Sequence, residues 1–245
     1  MVQASRRTGF TGSPLVRLLS RLTDNDVGQP RQTTAERLSQ WFGWTDDISL
    51  SAALNAGPAS SLSSARKASS SAEEAECARV RAALAKAIAS DGAAPRGDPA
   101  DTTADFAPLR QRYLARQQAM EAGIGPLRSR LRTTLAGRSQ AMARLAAVDV
   151  VMEQVLAAQE RSLLSGVPAL LEKRFKRLRQ AAREAQAEQS EQTDQTEHTG
   201  SAPRPTPAWQ DVFHKDLQDV LLAELDFRFQ PVEGLLEALR MKQPG

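Results

Sequence analysis

LRSRLRTTLAGRSQAMARLAAVDVVMEQVLAAQERSL, residues Leu127 to Leu163, decides the fold class. Its large apolar side chains include Leu127, Leu131, Leu135, Met142, Leu145, Val148, Met152, Val155, Leu156 and Leu163, with gaps at Arg138 and Gln159. Steps of three and four place side chains on one face of an α-helix, whereas a strand alternates with a period of two. The spacing predicts one helix from Pro126 to Ser165, about 60 Å long if unbroken. A rod of that length needs companion helices along its apolar stripe, with Leu145 inside the packed seam. Just upstream, Phe106, Leu109, Tyr113 and Met120 recur at helical steps, and Gly123-Ile124-Gly125-Pro126 reads as a breaker. A helix ending at Ala122 would then fold back on the long one as an αα-hairpin.

Outward from this centre the chain falls into helical blocks separated by breakers. Ser13-Pro14 pairs an N-cap with the residue best suited to the first helical turn, and Leu15, Leu18, Leu19 and Leu22 share a face. Asn25, Gly28 and Pro30 close that block. Thr33 and Glu36 stand in capping-box spacing before Leu38, Trp41 and Phe42, with Gly43 as a left-handed stop. Trp44 to Leu54 reads as a short helix capped by Thr45 or Asp46, and the two tryptophans are expected to anchor a small N-terminal core. These blocks form an N-terminal segment over 1–56. Residues 57–71 are nearly half serine and read as a flexible linker, because they hold too little apolar surface to offset ordering entropy. An Ala-rich helix is expected over 72–90, a linker over 91–101 and the hairpin with its Pro168-started continuation over 102–185. An acidic, proline-rich disordered tract fills 186–207. In 208–245, Trp209 to Leu225 reads as one amphipathic helix and Pro231 as the start of a second, both packing on the centre. The expected architecture is all-α, a long-helix bundle of coiled-coil type with disordered connectors.

Composition narrows the function. Aromatics are 4 % of the 245 residues, too few for an aromatic-rich β-sandwich, and a single cysteine excludes an intrachain disulfide. No apolar run reaches the length of about 20 residues that a bilayer span needs, and Arg6-Arg7 lack the apolar stretch of a signal peptide, so a cytoplasmic protein is expected. Of the two histidines, His198 sits in the acidic tract and His214 follows Asp211 by three residues. Without a nucleophile or a second base nearby, His214 reads as a boundary residue, and Cys77 on its Ala-rich helix reads as packing. There is no phosphate-binding loop. No enzyme activity, catalytic residue, cofactor or metal ligand is expected.

Charge is unevenly placed. Eight arginines and one acid lie between Arg110 and Arg144, six basic residues and no acid between Lys173 and Arg183, and seven acids against two bases between Asp211 and Glu237. Arg110, Arg112, Arg116, Arg128, Arg130 and Arg132, with Lys173, Arg174, Lys176 and Arg177, form the candidate interaction surface. Three fates compete for these cations. They neutralise nucleic-acid phosphates, with steep salt dependence; they meet the acidic C-terminal block within or between chains; or they are solvated helix faces. No aromatic side chains interleave with the arginines as a stacking platform would require.

Gly9–Val16, Asp47–Leu54, Tyr113–Leu131, Asp149–Phe175 and Leu221–Arg240 together resemble an uncharacterised bacterial family known only as a domain of unknown function. The resemblance spans most of the chain and brings no activity, ligand or catalytic residue. It implies a cytoplasmic accessory to a larger assembly of the cell envelope. The expectation is a non-enzymatic helical interaction or scaffold protein, bound to a protein partner or to itself through its long helices, with nucleic-acid binding through the arginine faces as the alternative.

Overall fold

The computed structural model describes residues 13–23, 34–55, 70–92, 105–193 and 209–241. The Ser-rich linker up to residue 69, the breakers at 25–30, Thr33, and the connector residues 93–101 and 194–207 lie outside these. Among the described residues the fold is all-α, with eight helices and no strand: α1 (Pro14–Thr23), α2 (Thr34–Trp41), α3 (Trp44–Asn55), α4 (Ser70–Gly92), α5 (Ala107–Ala136), α6 (Gln140–Leu164), α7 (Val167–Thr193) and α8 (Trp209–Arg240). None is long and apolar enough to cross a membrane.

The hairpin exists, but its corner is not where the glycines and proline suggest. α5 runs through Gly123, Gly125 and Pro126 without a break, and the chain turns at Gly137-Arg138-Ser139. A proline inside a helix deletes one hydrogen bond and crowds the preceding turn. Here that cost is outweighed by burial on both sides of it: Tyr113, Met120 and Ile124 before Pro126, and Leu127, Leu131 and Leu135 after. The glycines also serve packing. A Cβ on Gly123 would touch Val80 and Leu84 at 3.6 Å, so α4 crosses α5 closely at this point. The actual corner carries its own signal. Ser139 is extended and its hydroxyl accepts from the Met142 N–H at 3.3 Å, an N-cap that restarts the chain as α6. The expected 40-residue rod is therefore two pieces, the last turns of α5 and the whole of α6.

Around this hairpin, α8 occupies the centre. It is continuous through Pro231, so the expected second C-terminal helix is the end of the same one, and it packs on α1, α4, α5 and α7. Its N-terminal turns close an aromatic cluster. Phe175 of α7 lies 5.2 Å from Trp209 and 5.1 Å from Phe213 between ring centroids, and Phe106, just ahead of α5, lies 5.7 Å from Phe175. The Phe175 contacts with Trp209 and Phe213 are edge-to-face and that with Phe106 is tilted, geometries that add to the burial of the rings themselves. Ser13 caps α1 by accepting from the Val16 N–H, as the sequence suggests, and Leu15 and Leu22 pack in the main core.

A second, smaller cluster joins α3 to α6: Ala53, Val151 and Val155, flanked by Trp41, Phe42, Leu50 and Val148. Only one tryptophan contributes. Trp44 is 81 % exposed, which corrects the expectation that both anchor a core. Gly43 does not stop α2 in a left-handed conformation. Its carbonyl instead opens α3, and the Asp46 carboxylate reaches back to accept from the Gly43 N–H at 2.9 Å. Asp46 thus caps from the third helical position, as in half a capping box.

The apolar stripe is accordingly split. Leu127, Leu131 and Leu135 are buried, and Val148 and Val155 face α3. Leu145 is 41 % exposed and Leu163 70 %, against the expectation that the whole stripe is covered. Leu131→Asp should abolish folding, since it strands a carboxylate in the core, whereas Leu145→Asp should change the urea midpoint little; circular dichroism of both variants measures the contrast. Gly125 has open space where a Cβ would sit. Gly125→Ala should therefore stabilise the protein by about 0.5–1 kcal/mol in chemical denaturation, as expected for a helix interior and not for a turn.

Candidate interaction surface and its buried ion network

Most of the arginines that stand out in the sequence are consumed inside the molecule. Arg128 and Arg132, one turn apart on α5, face Asp149 and Glu153, one turn apart on α6. Arg128 binds Asp149 in a fork at 2.7 and 2.8 Å, and Arg132 donates to Asp149 and to Glu153, each at 2.6 Å. Burial alone would raise the Asp149 carboxyl, but the hydrogen bonds from the two guanidiniums bring it below its ordinary value. This ladder holds the hairpin arms in register. Arg116 forks onto Asp91 at 2.6 and 2.7 Å, and Arg112 donates to the Asp91 carbonyl, so both tie α5 to the end of α4. Arg130 pairs with Glu73 and Glu76 at the start of α4.

On α7, Arg174 pairs with Asp216 of α8 at 2.9 Å, Arg177 donates to the Leu22 carbonyl that ends α1, and Lys176 pairs with Glu172 of its own helix. No ion pair among the described residues holds Arg110 or Lys173, both of which are exposed. The partners are mostly acids of α4 and α6. From the acidic C-terminal block, Asp216 meets a member of the candidate surface, Arg174, in an ion pair.

A second network joins α5, α6 and α8. Glu224 of α8 is completely buried. It accepts from the Tyr113 hydroxyl, from Gln117 Nε2 at 3.0 Å and from Arg228 Nε at 2.9 Å. Arg228 also reaches Glu160 of α6 at 2.9 Å and Glu121 of α5 at 3.6 Å, so one guanidinium serves three carboxylates. Burial pushes the Glu160 carboxyl above its ordinary value, and Arg228 only partly opposes this. Tyr113 and Gln117 are one turn apart on α5, and Glu224 and Arg228 one turn apart on α8, so each helix presents two polar groups to the other. No single segment of sequence shows this pairing.

Arg228 and Glu160 mark the inner wall of a groove of about 550 Å³ between α5, α6 and α8. Its floor is apolar: Met120 and Ile124 from α5, Met152 and Leu156 from α6, and Phe227 from α8. Trp41 and the exposed Arg161 and Leu163 also line the groove. Beside Trp41 the chain enters α3, whose outward face carries Trp44 and, one turn on, Ile48, 54 % exposed. Leu54 is equally exposed at the far end of the helix. Among the described residues no group of three or more His, Cys, Asp or Glu side chains could hold a metal ion. His214 lines a small cleft with Asp91 and Arg112. Cys77 is buried, which pushes its thiol above the ordinary value and leaves it as core packing.

A family model described as "Protein of unknown function (DUF3348)" matches residues 1–241. The chain belongs to this family. No curated protein and no solved structure matches it. Membership in DUF3348 carries no activity to any residue, so the groove and the α3 face rest on their geometry alone.

The buried network has a direct spectroscopic reporter, because Tyr113 is the chain's single tyrosine. Burial, reinforced by the Glu224 charge, holds its phenol well above the ordinary value. A group whose pKa is raised by folding contributes fully below its unfolded pKa, about 10 for tyrosine, and loses that contribution as the pH climbs beyond it. The ultraviolet tyrosinate band should therefore stay absent on alkaline titration until the protein unfolds, and the two transitions should coincide. Tyr113→Phe should cost about 1–3 kcal/mol at neutral pH, the penalty for an unmet buried acceptor, and should remove this alkaline limb.

Proposed function

We propose that the chain is a non-enzymatic helical interaction protein that docks a protein through the α3 face and the adjoining α5–α6–α8 groove. The observation that carries the reading is Trp44, 81 % exposed at the start of a well-formed helix with Ile48 one turn away. Large apolar side chains adjacent on a surface mark a docking site, and tryptophan is enriched among the residues that dominate binding energy. The groove beside them offers an apolar floor with a few polar groups at its wall, the composition of a binding cleft. Internal pairing of Arg116, Arg128 and Arg132 weighs against phosphate binding, since those guanidiniums would have to give up half-buried carboxylates first. In this reading the chain is a cytoplasmic accessory of a larger assembly, held there by the Trp44–Ile48 face.

The tagged full chain should retain specific proteins from its native cell, and Trp44→Ser should cut that retention by about tenfold or more without moving the unfolding midpoint. Undiminished retention by Trp44→Ser would overturn the reading. Salt-sensitive binding of generic duplex or single strands, indifferent to Trp44→Ser, would replace it with the nucleic-acid alternative.

A further inference from the structure

The groove and the exposed α3 face are neighbours in a way that suits exchange between two copies. Trp41 lines the groove, and Trp44 lies three residues further on, so the α3 knob starts within about 11 Å of the groove's edge. A knob beside its own groove cannot fill it. Two chains related by a two-fold axis through that edge can each fill the other's, which is the self-complementary arrangement of an isologous dimer.

The chemistry of the two surfaces matches. Trp44 and Ile48 meet an apolar floor of Met120, Met152, Leu156 and Phe227. The indole also brings an N–H donor, and the groove lining holds the carboxylates of Glu121 and Glu160, which share Arg228. At the edge, Asp47 lies on the same side of α3 as Trp44 and Ile48, while Arg161 stands exposed at the groove's mouth. Neither has an ion-pair partner among the described residues.

We infer that the groove is occupied by the Trp44–Ile48 face of a second copy of this chain, each copy inserting its α3 knob into the other and closing an Asp47–Arg161 pair at the edge. The inference rests on the reading that the Trp44 face docks a protein, and it names that protein.

Sedimentation equilibrium of the full chain tests it. The wild type should show a reversible monomer–dimer equilibrium, and Trp44→Ser should raise the dissociation constant by about thirtyfold or more. Asp47→Arg and Arg161→Asp should each raise it by about fivefold or more, since the symmetric dimer carries every change twice. The Asp47→Arg/Arg161→Asp double variant should restore most of the loss. All these positions are exposed, so circular dichroism should stay at wild-type values, and so should the unfolding midpoint at protein concentrations well below the wild-type dissociation constant, where dimerisation adds no stability. A wild type still monomeric at about 0.1 mM, or a dimer indifferent to both Trp44→Ser and the charge exchange, would overturn the inference. If that monomer still retained cellular proteins in a Trp44-dependent way, the second copy alone would be ruled out; loss of that retention as well would remove the docking function too.

Discussion

A helix buried around most of its circumference is the constraint on which this architecture depends. α8 hides Phe213, Leu217, Val220, Leu221, Leu225, Phe229, Val232, Leu235 and Leu239, and no single partner helix can cover so wide an arc. α1, α4, α5 and α7 do it together. Because α8 follows them in the chain, the packed surfaces of the earlier helices find their partner only when residues 209–240 have been made. The N-terminal helix α1 likewise rests on α7 and α8, so elements from opposite ends of the described chain share one core. Contacts of such long sequence separation slow folding, since loop closure must precede the reward of packing. Capping hydrogen bonds from Arg138 to the Leu239 carbonyl and from Arg177 to the Leu22 carbonyl then finish the ends of α8 and α1 from neighbouring elements.

The ion pairs add selectivity to an otherwise generic hydrophobic assembly. Leucine-rich helices can slide by a turn or swap neighbours at modest cost, whereas the Arg128/Arg132–Asp149/Glu153 ladder meets its partners in only one register of the hairpin. The Tyr113–Glu224–Arg228 network does the same for α5 against α8. Such pairs contribute little net stability against well-packed apolar residues, yet a wrong register strands partly desolvated charges without partners. That asymmetry explains why a mildly basic chain can concentrate so many arginines on α5: their carboxylates stand on α4 and α6, which flank it.

Local periodicity carried the helical class, the Ser13 cap, the Pro168 start within α7 and the existence of a hairpin. The breaker residues lie inside both long helices. Pro126 and Pro231 each remove one hydrogen bond, a loss that tertiary burial on either side outweighs, and burial is not visible in a window of sequence. The true corner left a weaker mark, the gap in the stripe at Arg138 followed by a serine able to cap. Charge misled for a related reason. Counting along the chain isolates the arginines of Arg110–Arg144 from Asp91, Asp149 and Glu153, which are distant in sequence and adjacent in space. Glu224 looked like one more surface acid of an acidic helix, and only its position opposite Tyr113 and Gln117 makes it structural. Trp44 was the reverse case, a residue type that composition assigns to the core and the fold leaves outside.

The division of the core explains where an interaction surface can arise. Everything packed on α8 belongs to one large cluster, while α2 and α3 hold on to α6 through a handful of side chains. Stability is distributed unevenly in such a molecule, and the less buried element opens first. α6 thus serves two masters: its Asp149–Glu153 side is locked to α5, its Val151–Val155 side carries α3, and the Met152–Leu156 edge between them is left with an incomplete partner. A rigid α8-centred body beside a lightly attached helix that presents Trp44 allows the docking side to adjust while the register of the core stays fixed. Filling that edge would also brace α3 against α6, so binding there would stabilise the weakest part of the fold.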